Sequence, residues 1–388
     1  MLDLANTLPN DGCRGALAGR VFRPDLDGPS VVAVREAGVF DVTRSFPTMT
    51  DLTEADDLAA ALRAADGERL GDVNDLLANT VPDRRDTAKP WFLAPIDLQV
   101  IKASGVTFAI SLIERVIEEK TKGKPEAAAV IRAEIDSLCG SDLKTLVPGS
   151  PAAMRLKEVL IAQGAWSQYL EVGIGPDAEI FTKAPVMSAV GTGMDAGVHP
   201  LSSWNNPEPE VVPFVSSRGA IVGAALGNDV NLRDVEGRSA LLLGKAKDNN
   251  ASCAIGPFLR LFDDTFTYED MTRCEVTLAI TGEDGFHSEL VARMADISRT
   301  PKDLVGQMIN ANHQYPDGVV LFLGAMAAPT EDRDVKGAGF THKVGDIVSV
   351  ASPPLGRLVN RMKTSDACPP WNFGVRDLMR SLARRGIG

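Results

Sequence analysis

From about residue 170 onward the chain is written in short apolar runs, each stopped by a turn residue, and this most limits what it can fold into. Val211–Val215, Ala220–Leu226, Cys274–Thr281, Gly318–Leu323 and Asp346–Val350 alternate with Gly, Pro, Asn and Asp. Runs this short fit strands better than helices, and their spacing predicts a mostly β body, a barrel or a rolled sheet. The run from Val319 to Pro329 reads as a buried strand broken at Gly324 and leading into a loop. Upstream the pattern is mixed. Strands are expected at Ala18–Phe22, Ser30–Val34 and Gly38–Val42, then a helix capped by Thr50 or Asp51 and running to Ala65. Helical periodicity covers Val106–Thr121, Pro125–Leu138 and Pro151–Gln163. The polar, proline-bounded stretch Val81–Pro90 reads as a linker. The expected class is therefore α+β, mostly β, with a small N-terminal α/β domain over 1–90 and a larger β-rich domain over 91–388.

Charge excludes some partners. The chain carries 40 Lys+Arg against 52 Asp+Glu, a net −12. Nucleic-acid binders show a basic footprint, so no nucleic-acid partner is expected. No apolar run is long enough to span a bilayer, so no membrane partner is expected either. The start, Met1-Leu2-Asp3-Leu4, lacks a basic segment followed by an apolar one, and the five cysteines form no CxxC pair. Both features lead to the expectation of a reduced, cytoplasmic protein. Gly173-Ile-Gly175 is followed by Pro176 and Asp177 and makes no dinucleotide fingerprint. There is no GxSxG, HExxH or P-loop, and none of the four histidines precedes His199.

Glu208-Pro209-Glu210, with Asp229 downstream, is the strongest chemical feature. Residues i and i+2 of a strand share a face, so Glu208 and Glu210 converge. Gly219 offers a turn, and the strand Ala220–Leu226 returns the chain to Asn228-Asp229 beside the pair. Three carboxylates at one point repel unless a cation joins them, and hard oxygen ligands suit Mg²⁺, Ca²⁺ or Mn²⁺.

The segment beyond these acids narrows the reading: Asn228-Asp229-Val-Asn-Leu-Arg233-Asp234, then Lys247, then a small-residue segment ending at Gly256-Pro257. This order resembles the fumarylacetoacetate hydrolase superfamily, from about Ala103 to the C-terminus. The resemblance implies a β-roll catalytic domain. It implies Mg²⁺ or Mn²⁺ on Glu208, Glu210 and Asp229, chelating a 2-oxo acid, with Lys247, Arg233 and Lys183 at the pocket. Four further blocks, Ala103–Arg115, Glu179–Lys183, Trp204–Glu210 and Arg233–Glu236, resemble the superfamily's dehydratases of 2-keto-3-deoxy-pentonates.

The resemblance therefore implies a lyase, a hydro-lyase turning a 2-keto-3-deoxy-D-pentonate into α-ketoglutarate semialdehyde (2,5-dioxopentanoate) and water in pentose breakdown. Glu114 and Lys247 are the expected catalytic groups. Ser111, Arg115, Lys183, Arg233, Glu236 and Lys247 are the expected substrate-binding groups, and a homodimer or homotetramer is expected. Hydrolases of the superfamily activate water with a His–Glu dyad. With no histidine before His199, the alternative, a C–C hydrolase of an acylpyruvate or 2,4-diketo sugar acid, is the weaker reading. Replacing Glu208 or Asp229 by Ala is expected to end metal-dependent turnover while leaving the fold largely intact.

Overall fold

The protein is described from a computed structural model covering residues 2–122, 146–162, 164, 166–337 and 339–387. The expected helix at Pro125–Leu138 lies outside the described residues. The chain opens with strands β1 (Leu17–Arg23), β2 (Gly28–Arg35), β3 (Gly38–Asp41), β4 (Glu68–Gly71) and β5 (Trp91–Leu93). Next come β6 (Val100–Ser104), β7 (Ile180–Ala184), β8 (Asp195–Val198), β9 (Asn205–Asn206), β10 (Pro209–Val215), β11 (Ile221–Asp229) and β12 (Asn231–Leu232). The last are β13 (Cys253–Leu261), β14 (Glu275–Thr281), β15 (His287–Arg293), β16 (Val319–Phe322), β17 (Ile347–Ser352) and β18 (Gly356–Thr364).

Most of these strands join one sheet in the order β4-β3-β2-β1-β13-β11-β10-β16-β6-β7, with β5 paired to β1. The N-terminal strands enter it through Leu17↔Arg260 and Ala18↔Leu259, so they extend the sheet that carries the acidic hairpin. A second sheet, β15-β14-β17-β18-β8, packs on one face.

Strand alternation decides which side chain goes where. Val211 and Leu226 pack with Val276, Leu278 and Val350 of the second sheet. Val212, Phe214 and Phe322 point the other way, onto Met49, Leu52 and Leu62 of the N-terminal helices. Each such side chain taken fully out of water is worth roughly 2 kcal/mol. With both faces covered, the middle of the sheet becomes a rigid and dry platform.

Three local expectations shift. The first helix is Met49–Glu54, capped by Thr48 rather than Thr50 or Asp51. Thr48 accepts from the Asp51 amide at 3.1 Å, and Asp51 accepts from the Thr48 amide at 2.9 Å, a reciprocal capping box. The helix stops at Ala55, and a second one, Leu58–Ala64, begins after an Asp57 held at φ +46. The third shift concerns the run at Val106–Thr121, which turns helical only at Ala109 because Val106 sits at φ +48, outside the helical region. In the expected linker, the Asn79 side chain donates to the carbonyls of Asp86, Lys89 and Pro90 and pins the segment.

Candidate active site

The acidic residues meet through the predicted hairpin. β10 and β11 pair antiparallel with Pro209↔Asn228 and Glu210↔Gly227, and Gly219 takes the left-handed turn position at φ +80. Beyond the ladder, the Asp229 amide donates to the Glu208 carbonyl at 3.0 Å, and the Glu208 amide donates to Asn228 Oδ1 at 3.0 Å. This latch fixes Glu208 opposite Asp229. One carboxylate oxygen from each of Glu208, Glu210 and Asp229 lies within 4.8 Å of the others, and all three residues are buried.

Two buried ammonium groups serve the cluster. Lys247, ending the short helix Leu243–Lys247, donates to Glu208 and, at 2.9 Å, to Asp229 Oδ2. Lys183 of β7, 0% exposed, lies 2.7 Å from Asp229 Oδ1 and donates to the carbonyls of Val230 (3.2 Å) and Lys247. Burial works against the Asp229 charge, yet the two lysines outweigh it and hold that carboxyl below its usual range. Burial likewise opposes the Lys247 charge, and Asp229, Glu208 and Glu236 overcome it and raise that ammonium.

Glu210 is different. Its polar contact is the Gly324 amide, at 2.6 Å, and among the described residues no cation lies within ion-pair distance of it. Burial first, then the charges of Asp229 and Glu208, push its carboxyl well above the ordinary value. A buried carboxylate without a cation, in a set made only of carboxylate oxygens, fits a hard divalent ion. Glu208, Glu210 and Asp229 can therefore hold a metal.

The helix Ala109–Thr121 closes one side. Arg115 bridges Glu208 and Glu236, the latter at 2.8 Å. Its neighbour Glu114 lies 3.9 Å from Arg233, whose Nε donates to Asn206 Oδ1 at 3.0 Å and whose guanidinium sits 5.4 Å from the centre of the Trp204 ring. The structure thus gathers Glu114, Arg115, Lys183, Arg233, Glu236 and Lys247 around the three acids, while the Ser111 side chain lies outside the described residues. A register shift between β6 and β7 falls at Lys183, and such a bulge re-aims a strand side chain.

Glu179 was not among the residues expected from the sequence. It sits just before β7, where its carbonyl accepts from the Gly105 amide at 3.2 Å. Its carboxylate lies so close over Gly105 that a Cβ there would collide with Oε2. Burial, then the charge of Glu236, push this carboxyl up to about 7 against the pull of Arg115 and Lys247. A signal was available in the sequence: Glu179 opens the block that carries Lys183, and strand alternation puts it on the face of Phe181.

No family model matches the chain. Over 48% of its length it is 29% identical to a 2-dehydro-3-deoxy-D-arabinonate dehydratase of Saccharolobus solfataricus, covering 58% of that protein. Over 50% it is 30% identical to a probable 2-keto-3-deoxyxylonate dehydratase of Haloferax volcanii, covering 64%. The match therefore spans less than two thirds of either relative. A solved 2-keto-3-deoxy-D-arabinonate dehydratase complexed with magnesium and 2,5-dioxopentanoate superposes with a TM-score of 0.60 at 19% identity, covering 90% of this chain and 99% of that one. At that identity the likeness is one of fold, and it agrees with the mixed, mostly β class expected from the sequence. Among the described residues no helix is long and apolar enough to cross a membrane.

Proposed function

Taking this chain as a member of the fumarylacetoacetate hydrolase superfamily, similar to its 2-keto-3-deoxy-pentonate dehydratases, we propose that it is a metal-dependent hydro-lyase. It converts a 2-keto-3-deoxy-D-pentonate to 2,5-dioxopentanoate and water. The observation that carries this reading is the buried triad of hard oxygen ligands, Glu208, Glu210 and Asp229, with the Glu179 carboxyl under the charges of Arg115 and Lys247 that serve the same cluster. Glu208, Glu210 and Asp229 would hold Mg²⁺ or Mn²⁺. When bound, such an ion supplies Lewis-acid polarisation of a 2-oxo group.

The chain's own groups then divide the work. The C3 proton next to the 2-oxo group passes to Glu179, since a base with a pKa near 7 can both take and return a proton. The C4–O bond breaks and the hydroxyl leaves as water. Glu236, held in place by Arg115, positions that hydroxyl or protonates it. The allylic C5 alcohol that remains tautomerises to the aldehyde. Lys247 and Arg233 stabilise the substrate carboxylate and the developing enolate. Glu114 rests beside Arg233 and orients it, with a share in proton transfer open to it as a second buried carboxyl. Lys183 fixes Asp229 and the Lys247 backbone.

The proposal includes a cytoplasmic, homo-oligomeric enzyme, on the strength of the sequence resemblance. Incubation with 2-keto-3-deoxy-D-xylonate or its L-arabinonate counterpart and Mg²⁺ tests it. A product lighter by one water, oxidised onward to 2-oxoglutarate by an aldehyde dehydrogenase, is expected. Unchanged sugar acid, with a 2,4-diketo acid cleaved to pyruvate instead, would replace the lyase by a hydrolase.

A further inference from the structure

Behind the loop at 248–252, just past Lys247, lies a cavity of about 230 Å³. Phe22, Leu93, Met187, Met194 and Phe373 form apolar walls, and Trp371, 47% exposed, stands at its edge. That volume is below the 300–1,000 Å³ typical of drug-sized ligands, so only a compact molecule fits.

Two charged groups, Arg20 and Asp195, are built into the lining. Arg20 of β1 shares its strand face with Phe22 and pairs with Leu93 of β5, and it is only 5% exposed. Its Nη1 donates to the Ile96 carbonyl at 2.5 Å, while its Nε stays 3.7 Å from Asp97. Asp97 already accepts from the amides of Met49 at 2.8 Å and Leu98 at 2.7 Å. Among the described residues Arg20 Nη2 has no acceptor, although Arg20 lines the cavity. Burial lowers the Arg20 pKa, and the Asp97 charge only partly offsets this. Asp195, also in the lining, is engaged by Arg361 at 2.7 Å and Lys363 at 2.8 Å. Two wall residues, Met187 at φ +65 and Ala251 at φ +60, hold a conformation costly for anything but glycine.

A buried guanidinium with donor capacity left over, inside an apolar box, recognises a single carboxylate on an apolar body. We propose that this cavity is a binding site for a small monocarboxylate, with its anion on Arg20 and its apolar body against Leu93, Met187 and Met194. The site is separate from the acidic triad.

Titration calorimetry of the full chain with benzoate tests this. Benzamide keeps the ring without the charge, and inorganic phosphate keeps charge without the ring. Benzoate is expected to bind, with both controls at least ~10-fold weaker. Its affinity should be the same in Mg²⁺ and in EDTA. Arg20→Met should lose the binding. Because that change also removes the bond to Ile96, Ser188→Asp is the second variant: it places a negative charge on the partly exposed wall and should weaken benzoate at least ~10-fold while leaving turnover unchanged. Benzamide binding as well as benzoate, affinity that depends on Mg²⁺, indifference to Ser188→Asp, or no binding at millimolar benzoate would each overturn the proposal.

Discussion

The Gly324 amide donates to the Glu210 carboxylate at 2.6 Å across 114 residues of sequence. Among the described residues it is the polar partner of the one triad acid without a cation, so backbone rather than a side-chain charge aims Glu210. Gly324 holds φ +101, and a Cβ there would collide with Thr107 Oγ1, itself hydrogen-bonded to the Leu323 carbonyl. Gly324→Ala should displace the amide. We expect Mg²⁺ affinity, measured by calorimetry, to fall at least ~10-fold, as losses in the surroundings of metal ligands do. Unchanged affinity would show that Glu210 is aimed by something else.

The acids of the triad should respond in opposite ways to neutralisation. Asp229 faces Lys183 and Lys247, so Asp229→Asn or Asp229→Ala leaves buried ammonium charge uncompensated, at a cost of about 3–5 kcal/mol. That differs from the sequence-based expectation of an intact fold, because the lysines' burial could not be read from the sequence. Among the described residues Glu210 has no such partner, and its charge is disfavoured by burial and by the other acids. Glu210→Gln should raise the melting temperature of the metal-free chain and abolish the further rise with Mg²⁺. Scanning calorimetry with Mg²⁺ and with EDTA reads both; a metal-free Glu210→Gln chain that melts lower than the parent counts against this assignment.

Glu179, as the proposed base, is expected to make both stability and rate depend on pH. Its folded pKa of about 7 stands above the ordinary 4.5, so the native chain binds more protons between these values. The stability it contributes is complete below about 4.5 and is lost as pH rises through about 7. Glu179→Gln should flatten the fall in metal-free stability over that window. A base must be ionised to act, so kcat/KM should rise with pH along a limb at or below about 7, since a bound cation lowers the pKa. Glu179→Gln should cut kcat ~10²–10⁴-fold and remove the limb. A variant with the parental pH–rate profile would return the proton transfer to Glu114.

Arg115 spans two carboxylates, Glu208 and Glu236, a task for a planar fork with several donors. Arg115→Lys keeps the charge and cannot reach both. We expect kcat/KM to drop by about tenfold or more while Mg²⁺ affinity changes less, because Glu208 still has Lys247. Equal losses in both quantities would mean that Arg115 serves the metal ligands alone.

The local grammar of the chain carried a good part of this protein. The i, i+2 spacing of Glu208 and Glu210, the turn at Gly219 and the return to Asp229 predict a hairpin, and the antiparallel pairing of β10 with β11 bears it out because neighbouring strands pair by short-range rules. The Thr48 cap and the late helix start at Ala109 were misjudged, since each depends on a reciprocal side-chain bond or a strained residue that periodicity does not encode.

Taken alone, then, the sequence determined the β-rich body and the meeting of the three acids, both features of local spacing, while the family resemblance implied Lys247 beside them. Only the tertiary structure decided that Lys183 and Lys247 share Asp229 but leave Glu210 to Gly324, that Glu179 is held near neutrality, and that Arg20 has donor capacity to spare. The reason is physical. Burial and charge coupling are set by which distant strands the sheet order makes neighbours. Here that order lays β16 between β10 and β6, and β1 beside β13.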